Sequence, residues 1–408
     1  MLNTSNLITT IVVALALTAC SSDDSTAVLN NQLYTQTNET QNKIVHLKRS
    51  DDGSINIVNT ALTGGRGTDG FRFDTNNGAG GQAADSLVSQ GSIVISTDKT
   101  RLFAVNGGDN SISSFSINQD NGDLIFLTKT SVTTNSSVPN ALTFYNNKLY
   151  VSFRDGTNRL NAYNVSSNGT LSQIGTYSLP ANGANQARPT QLSIAPSGGY
   201  LLVIGGPGSG QMLTYPINHD GTLGQYTQTT TPFVNPFAGT FVGNQFAATD
   251  INRNPNEAGS LGLYNVANSQ TGGALSLSGT QVVNGQAASC WVVATPNGKY
   301  IYVGNGGGAG SISLYSVNSA ATTKSISLVS SAAAVHVGVA GDMWVSPDNK
   351  YLYVAWFAED RVRSYQINED GTLKGIGNVL VGSSNAAYTN PTPTNGQKGN
   401  SLMGLVGI

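Results

Sequence analysis

Three observations predict an all-β chain folded as a seven-bladed β-propeller of four-stranded blades. A motif recurs about every 50 residues, apolar residues alternate with period 2 inside each copy, and the composition is poor in helix-forming stretches. Glycine occupies 48 of the 408 positions and hydrophobic residues make up 39%, enough for a sizeable core. Charged residues are only 10%, against about 25% in an average soluble domain. Twenty basic and 22 acidic side chains leave a formal charge of −2, with no basic run. Nucleic-acid binding, which draws its affinity from cationic side chains on phosphates, is excluded as a class.

Each copy reads as an apolar strand, a turn, an L-Y-V-like strand, a variable loop, an I-x-x-Y-x-I strand, and a D-G-T-L turn. It is plainest at Ser346-Pro347-Asp348-Asn349-Lys350-Tyr351-Leu352-Tyr353-Val354, then Val362/Tyr365/Ile367 and Asp370-Gly371-Thr372-Leu373. The I-x-x-Y-x-I element recurs at Ile112/Phe115/Ile117, Leu160/Tyr163/Val165, Met212/Tyr215/Ile217, Leu261/Tyr264/Val266 and Ile312/Tyr315/Val317. A degraded copy, Ile44/Leu47, completes seven. From Phe115 the aromatic returns after 48, 52, 49, 51 and 50 residues, whereas Leu47 to Phe115 spans 68. The excess is a Gly-rich insertion, residues 64–87, carrying Arg66, Asp69, Arg72 and Asp74; it is expected over one mouth of the ring.

Four strands and three turns fit this period, and Asp-Gly or Asn-Gly pairs supply hairpin turns in which glycine accepts positive φ. Inner strands are expected at 92–96, 140–144, 189–194, 236–241, 289–294, 342–346 and 401–406. The last has no blade after it, and the first blade has no inner strand before Gln32. The C-terminal strand is therefore expected to complete the N-terminal blade and close the ring, leaving no long free edge.

Ahead of the repeats, an eleven-residue apolar run from Leu7 to Leu17 is too short to span a bilayer as a helix and suits a signal-peptide core. Leu17-Thr18-Ala19-Cys20 resembles a bacterial lipobox, which implies cleavage before Cys20 and lipidation of its thiol. The expected division is a lipoprotein signal peptide at 1–19, a lipidated Cys20 with tether at 20–29, and the propeller at 30–408. The address is then the cell envelope, on the outer membrane, held by the lipid. Cys290, in Ser289-Cys290-Trp291-Val292-Val293-Ala294, is the second of two cysteines and reads as strand core.

The stretch Cys290-Trp291-Val292-Val293-Ala294-Thr295-Pro296-Asn297-Gly298-Lys299-Tyr300-Ile301-Tyr302-Val303-Gly304-Asn305, followed by Gly310-Ser311-Ile312-Ser313-Leu314-Tyr315, resembles the lactonase-type seven-bladed propeller family. That family includes 6-phosphogluconolactonase-like and 3-carboxymuconate-cyclase-like proteins. Asp342-Met343-Trp344-Val345-Ser346-Pro347-Asp348 and Gly404-Leu405-Val406 resemble its secreted bacterial branch. The resemblance implies a ligand site at the axial mouth. Where members carry a His-Pro-His-like stretch, this chain has Gln186-Ala187-Arg188-Pro189-Thr190-Gln191.

Residues opening the inner strands are the candidates for that mouth: Gln90, Asn140, Arg188, Gln191, Ser289, Asp342, Asn400 and Ser401. Ring-ester hydrolysis needs a base to activate water and a donor or cation for the developing oxyanion. Asp342 as base and Arg188 as clamp form the only charged pair in the set, with a structural salt bridge as the alternative. His336, six residues before Asp342, is a further catalytic candidate, and Trp356 a candidate sugar-stacking platform. His46 reads as packing and His219 as an exposed turn residue. No metal site and no cofactor are expected, since no His, Cys or carboxylate pair has ligand spacing.

Two functions stay open at this stage. One is an anchored, monomeric binding protein for a small polar molecule, a glycan or a partner. The other is a metal-independent lactonase-type hydrolase or isomerase acting on a sugar-acid-like lactone.

Overall fold

The computed structural model describes residues 29–73, 80–133, 135–182, 185–230, 232, 234–251, 258–319, 324–382 and 402–408. No helix occurs among them, so none is long and apolar enough to cross a membrane. The strands form seven small antiparallel sheets, each a meander, together with two short two-stranded hairpins. Inner strands are Ile93–Ile95, Ser136–Tyr145, Gln191–Ile194, Pro236–Val242, Ser289–Ala294, Val339–Val345 and Met403–Gly407. Each packs beside the next, and Met403–Gly407 packs beside both Val339–Val345 and Ile93–Ile95, so the series closes into a ring. The fold is a seven-bladed β-propeller.

Ring closure runs through the C-terminus. Met403–Gly407 pairs antiparallel with Gln32–Gln36, in the sheet that continues through Lys43–Arg49 to Ile55–Leu62. Leu402, Met403, Leu405 and Ile408 are buried there. The Thr35 hydroxyl donates to the Gly404 carbonyl at 2.5 Å, and Asn31 and Ile408 amides extend the ladder. We number this N- and C-terminal composite blade 1 and the rest in chain order.

Burial follows strand position. Tyr200–Ile204, a second strand, is buried at every residue because both of its faces lie against neighbouring blades. Outer strands such as Ile55–Leu62 face solvent along most of their length. The two sequence signatures of the repeat meet between blades. Second-strand tyrosines Tyr34, Tyr150, Tyr302 and Tyr353 donate their hydroxyls to the carbonyls of Gly122, Gly221, Gly371 and Gly53, each in the hairpin turn of the next blade. Gly371 sits at φ +83°, and a Cβ there would lie 2.7 Å from the Tyr300 ring. The D-G-T-L turn is therefore an inter-blade fastener as well as a hairpin.

Candidate axial site

In a meandering blade, two kinds of connection emerge on one face: outer strand to next inner strand, and second strand to third. The insertion between blades 1 and 2 belongs to that face. The chain leaving it, residues 86–91, runs inward and lies on the ring axis. The Ser89 hydroxyl donates to the Asn140 carbonyl of blade 3 at 2.7 Å, and the Gln90 amide to Thr190 at the start of blade 4 at 2.9 Å. The Gln90 side chain grips Val292 of blade 6 at both ends, donating to its carbonyl and accepting from its amide, each at 2.9 Å. The Trp291 indole donates to the Ser89 carbonyl at 3.1 Å, and the Gly91 amide to Asp342 Oδ1 of blade 7 at 2.9 Å. A single short segment that bonds to blades 3, 4, 6 and 7 must occupy the centre of the ring. Ser86, Leu87, Val88 and Ser89 are correspondingly buried.

This plug is held under strain. Val88, β-branched, adopts φ +50° with its amide donating to Asp85 Oδ1 at 2.8 Å. Such a conformation persists only where surrounding bonds over-determine it. Replacing Gln90 by Ala leaves the buried Val292 amide and carbonyl without their partner. A loss of about 2–4 kcal/mol is expected in urea denaturation, at roughly 1–3 kcal/mol per orphaned group.

Around the plug the same face collects charge. Arg72 comes from the hairpin Phe71–Arg72/Gly81–Gln82, Asp85 from the chain just after it, and Arg154 from the end of the second strand of blade 3. Arg159 lies at the start of that blade's third strand and Arg188 in the loop leading to blade 4. Burial pushes the Asp85 carboxyl up to about 6, and the positive charges of Arg72 and Arg154 only partly offset this. Burial likewise pushes Asp342 up to about 7, opposed by the Gly91 amide and reinforced by the negative charge of Asp85. Asp342 Oδ2 has no hydrogen-bond partner among the described residues. Arg159 donates to the Ala187 carbonyl at 2.8 Å, and burial and then the nearby Arg188 lower its affinity for its proton. Asp85 thus lies within reach of the Arg72 and Arg154 charges and its own charge reaches Asp342, while Arg159 and Arg188 are neighbours of each other.

Residues 249–395 match the family described as Lactonase, 7-bladed beta-propeller. A candidate 6-phosphogluconolactonase from Bacteroides fragilis superposes on 93% of this chain and 98% of its own, with a TM-score of 0.64 and 17% identity. The chain shares the seven-bladed propeller fold of these proteins, and its residues 249–395 are similar in sequence to the lactonase-type family. The Pseudomonas aeruginosa periplasmic gluconolactonase is similar over 91% of this chain and 98% of its own, with a TM-score of 0.62 and 15% identity. No curated protein matches significantly in sequence. At these identities the solved structures establish likeness of fold, not of reaction.

Within this propeller, several predicted site residues serve as braces between blades. Asn140 donates to the Pro189 carbonyl at 2.7 Å and accepts from Ser152 at 2.9 Å. Gln191 pairs with Gly239 of blade 5 through both ends of its amide, at 3.0 and 2.6 Å. Ser289 is fully buried in a network with Asn284 and Asn305. Gln90 is spent on Val292, as above. Trp356 is the clear correction: it is not an exposed platform but 0% exposed, because the second strand that carries it has neighbours on both faces.

His336 packs edge-on against Trp356, with ring centroids 5.0 Å apart, and near Tyr365 at 6.3 Å. Those partners lie on the second and third strands of blade 7, outward of the inner strand that carries Asp342. Burial, with Arg363 adding, lowers the His336 pKa. His46 bonds Gln32 at 2.7 Å and stacks on Tyr34, while His219 is exposed. Cys290 is buried, and Cys20, Asn400 and Ser401 lie outside the described residues. No group of three or more His, Cys, Asp or Glu among the described residues is placed to hold a metal.

Of the predicted charged pair, Asp342 and Arg188 are both buried, 3% and 8% exposed, and the charge that acts on Asp342 is that of Asp85. Sequence reasoning missed Asp85 and Arg154 as site residues. Arg154 ends an ordinary strand, and Asp85 lies in a polar insertion, so neither carries a local signal. The insertion's charges were noted, but only ring closure shows which of them turn inward.

Proposed function

We propose that this propeller is a hydrolase for a small sugar-acid-like lactone, acting at the loop-face mouth beside the plug. What supports the reading is the Asp85 carboxyl next to the axial plug, the hydrogen bond from the Val88 amide fixing its place, with the Arg72 and Arg154 charges near it and burial pushing its pKa up to about 6. Above that pH Asp85 is ionised and takes a proton from water as the water oxygen adds to the lactone carbonyl. An arginine holds the resulting oxyanion. Collapse breaks the ring C–O bond, the proton passes from Asp85 to the departing alkoxide, and the open-chain hydroxy acid results. The product carboxylate then faces the same arginines. Arg188 holds the substrate's polar end, and Asp342 anchors the plug through the Gly91 amide. The names of the similar Bacteroides and Pseudomonas proteins support gluconolactone and its 6-phosphate as first substrates.

The test is pH-stat hydrolysis of both lactones, corrected for the buffer rate. Turnover is expected to rise through about pH 6, because the base works deprotonated. Asp85→Asn should lower kcat by roughly 10²-fold or more, the usual contribution of a positioned base. Turnover that is absent, or unchanged in Asp85→Asn, removes the hydrolase reading. Saturable gluconate binding without turnover would instead indicate a sugar-acid-binding propeller.

The proposed address is the cell envelope, with the propeller tethered by acyl chains on Cys20. Hydrophobic anchoring grows by about 0.8 kcal/mol per buried CH₂, so several chains hold a protein lastingly. Cys20→Ala should move the protein from the membrane fraction to the soluble fraction and abolish palmitate labelling. Continued membrane retention would count against lipid anchoring.

A further inference from the structure

On the rim of the ring, away from the axis, blade 4 has a short outer strand, as does blade 5 with Leu275–Leu277. In blade 4 that strand is only Thr227–Thr229, where blades 3 and 7 have Leu171–Tyr177 and Leu373–Leu380. The cause is local. The third strand, Met212–Pro216, ends in a proline whose carbonyl accepts from the Gly224 amide at 2.8 Å but which has no N–H to return the bond. The Leu223 amide turns instead to the Tyr177 hydroxyl of blade 3 at 2.7 Å. Residues 225 and 226 therefore lie outside the outer strand, and a groove of about 370 Å³ opens between blades 3 and 4.

Three tyrosines shape this groove. Tyr215 lies against Tyr177 (ring centroids 6.1 Å apart, edge-on) and against Tyr226 (5.4 Å, tilted). Thr176, Ser178 and Gln225 add hydroxyl and amide groups, and no charged side chain lines it. At equivalent positions, Tyr163 accepts from Asn161 at 3.1 Å, Tyr264 accepts from Gln281 at 2.9 Å, and Tyr315 donates to the Val282 carbonyl at 3.2 Å, whereas the buried Tyr365 hydroxyl has no partner among the described residues. The Tyr215 hydroxyl, on a side chain only 2% exposed, has no partner among the described residues. Burial, with Tyr226 and Tyr177 adding, pushes its pKa far up, so it is a neutral donor at all ordinary pH.

We propose that this rim groove binds a neutral pyranose unit of a saccharide, separately from the axial site. Tyrosine rings offer flat apolar faces to the C–H side of a sugar, and hydroxyl and amide groups answer its hydroxyls. A buried donor without a partner is the kind of group a ligand hydroxyl satisfies. The absence of charge in the lining selects a neutral sugar over a sugar acid or phosphate. Tyr226, half-buried in the groove lining, is the ring against which the sugar would stack.

The test uses the intact protein titrated with methyl β-D-glucopyranoside, methyl α-D-mannopyranoside and N-acetyl-D-glucosamine, followed by saturation-transfer NMR. None of these is a lactone, so the outcome is independent of the axial reading. At least one should bind saturably. Tyr226→Ala should weaken it about tenfold or more, equivalent to about 1.4 kcal/mol. Tyr215→Phe, which keeps the packing and removes only the hydroxyl, should weaken it by a few-fold, while Tyr264→Phe should have no effect. Loss in Tyr226→Ala with Tyr215→Phe unchanged would overturn the role of the hydroxyl. No saturable binding, or binding unchanged in Tyr226→Ala, would overturn the site.

Discussion

Removing residues 402–408 is expected to abolish cooperative folding of the whole propeller. The deletion removes the inner strand of blade 1, its ladder with Gln32–Gln36, and the buried side chains of Leu402, Met403, Leu405 and Ile408. Each such side chain contributes about 1.5–3 kcal/mol by burial. Their sum is comparable to the roughly 5–15 kcal/mol by which a native protein exceeds its unfolded state. The damage spreads because Met403–Gly407 also packs against the inner strands of blades 2 and 7. Circular dichroism and urea titration should show a chain with no single unfolding transition. A truncated protein that unfolds cooperatively at the parent midpoint would mean that closure by this strand is dispensable.

Asp342→Asn should invert the usual expectation that loss of a buried, hydrogen-bonded aspartate destabilises. The folded pKa of Asp342 is about 7, against an ordinary value of 3.8 when unfolded. Between those values the folded state holds a proton that the unfolded state has released. Stability therefore falls as pH rises from about 4 to about 7, and remains reduced above that. Below the unfolded value the group contributes no such loss. Asparagine keeps an acceptor for the Gly91 amide but does not ionise, so the variant escapes this decline. At one pKa unit per 1.36 kcal/mol, the advantage at pH 8 over pH 5 is on the order of a few kcal/mol. The readout is the urea midpoint of both proteins at the two pH values. Equal pH dependence in the two would show that Asp342 does not titrate in this window.

The blades were legible because what specifies them is local. Alternating apolar residues, Asp-Gly turns and the I-x-x-Y-x-I strand each act within a dozen residues, and seven copies reinforce one another. The inner strand at 289–294 coincides with the observed Ser289–Ala294, and the expected C-terminal closure appears as the pairing with Gln32–Gln36. Boundaries drifted where loops intervene, as at Val339–Val345, which begins three residues before the expected 342. Trp356 misled because a strand end looks exposed in sequence, whereas in the ring the neighbouring blade and His336 cover it.

The centre of the ring was far less legible. That an insertion lies between blades 1 and 2 is visible in the spacing of the repeats. That its residues 86–91 thread the axis, bonding Asn140, Thr190, Val292 and Asp342, is a property of closure. These partners stand some 50 to 250 positions away in sequence, and no local pattern marks them as neighbours. The same holds for Asp85 beside Arg154, and for the rim groove, where Pro216 marks the break but Tyr177 of another blade supplies the wall. By itself, the sequence determined the number, order and closure of the blades, through short-range periodicity and turn chemistry. The tertiary structure alone decided which side chains meet at the axis and at the rim. Burial, charge pairing and orphaned donors arise only when distant blades are brought side by side.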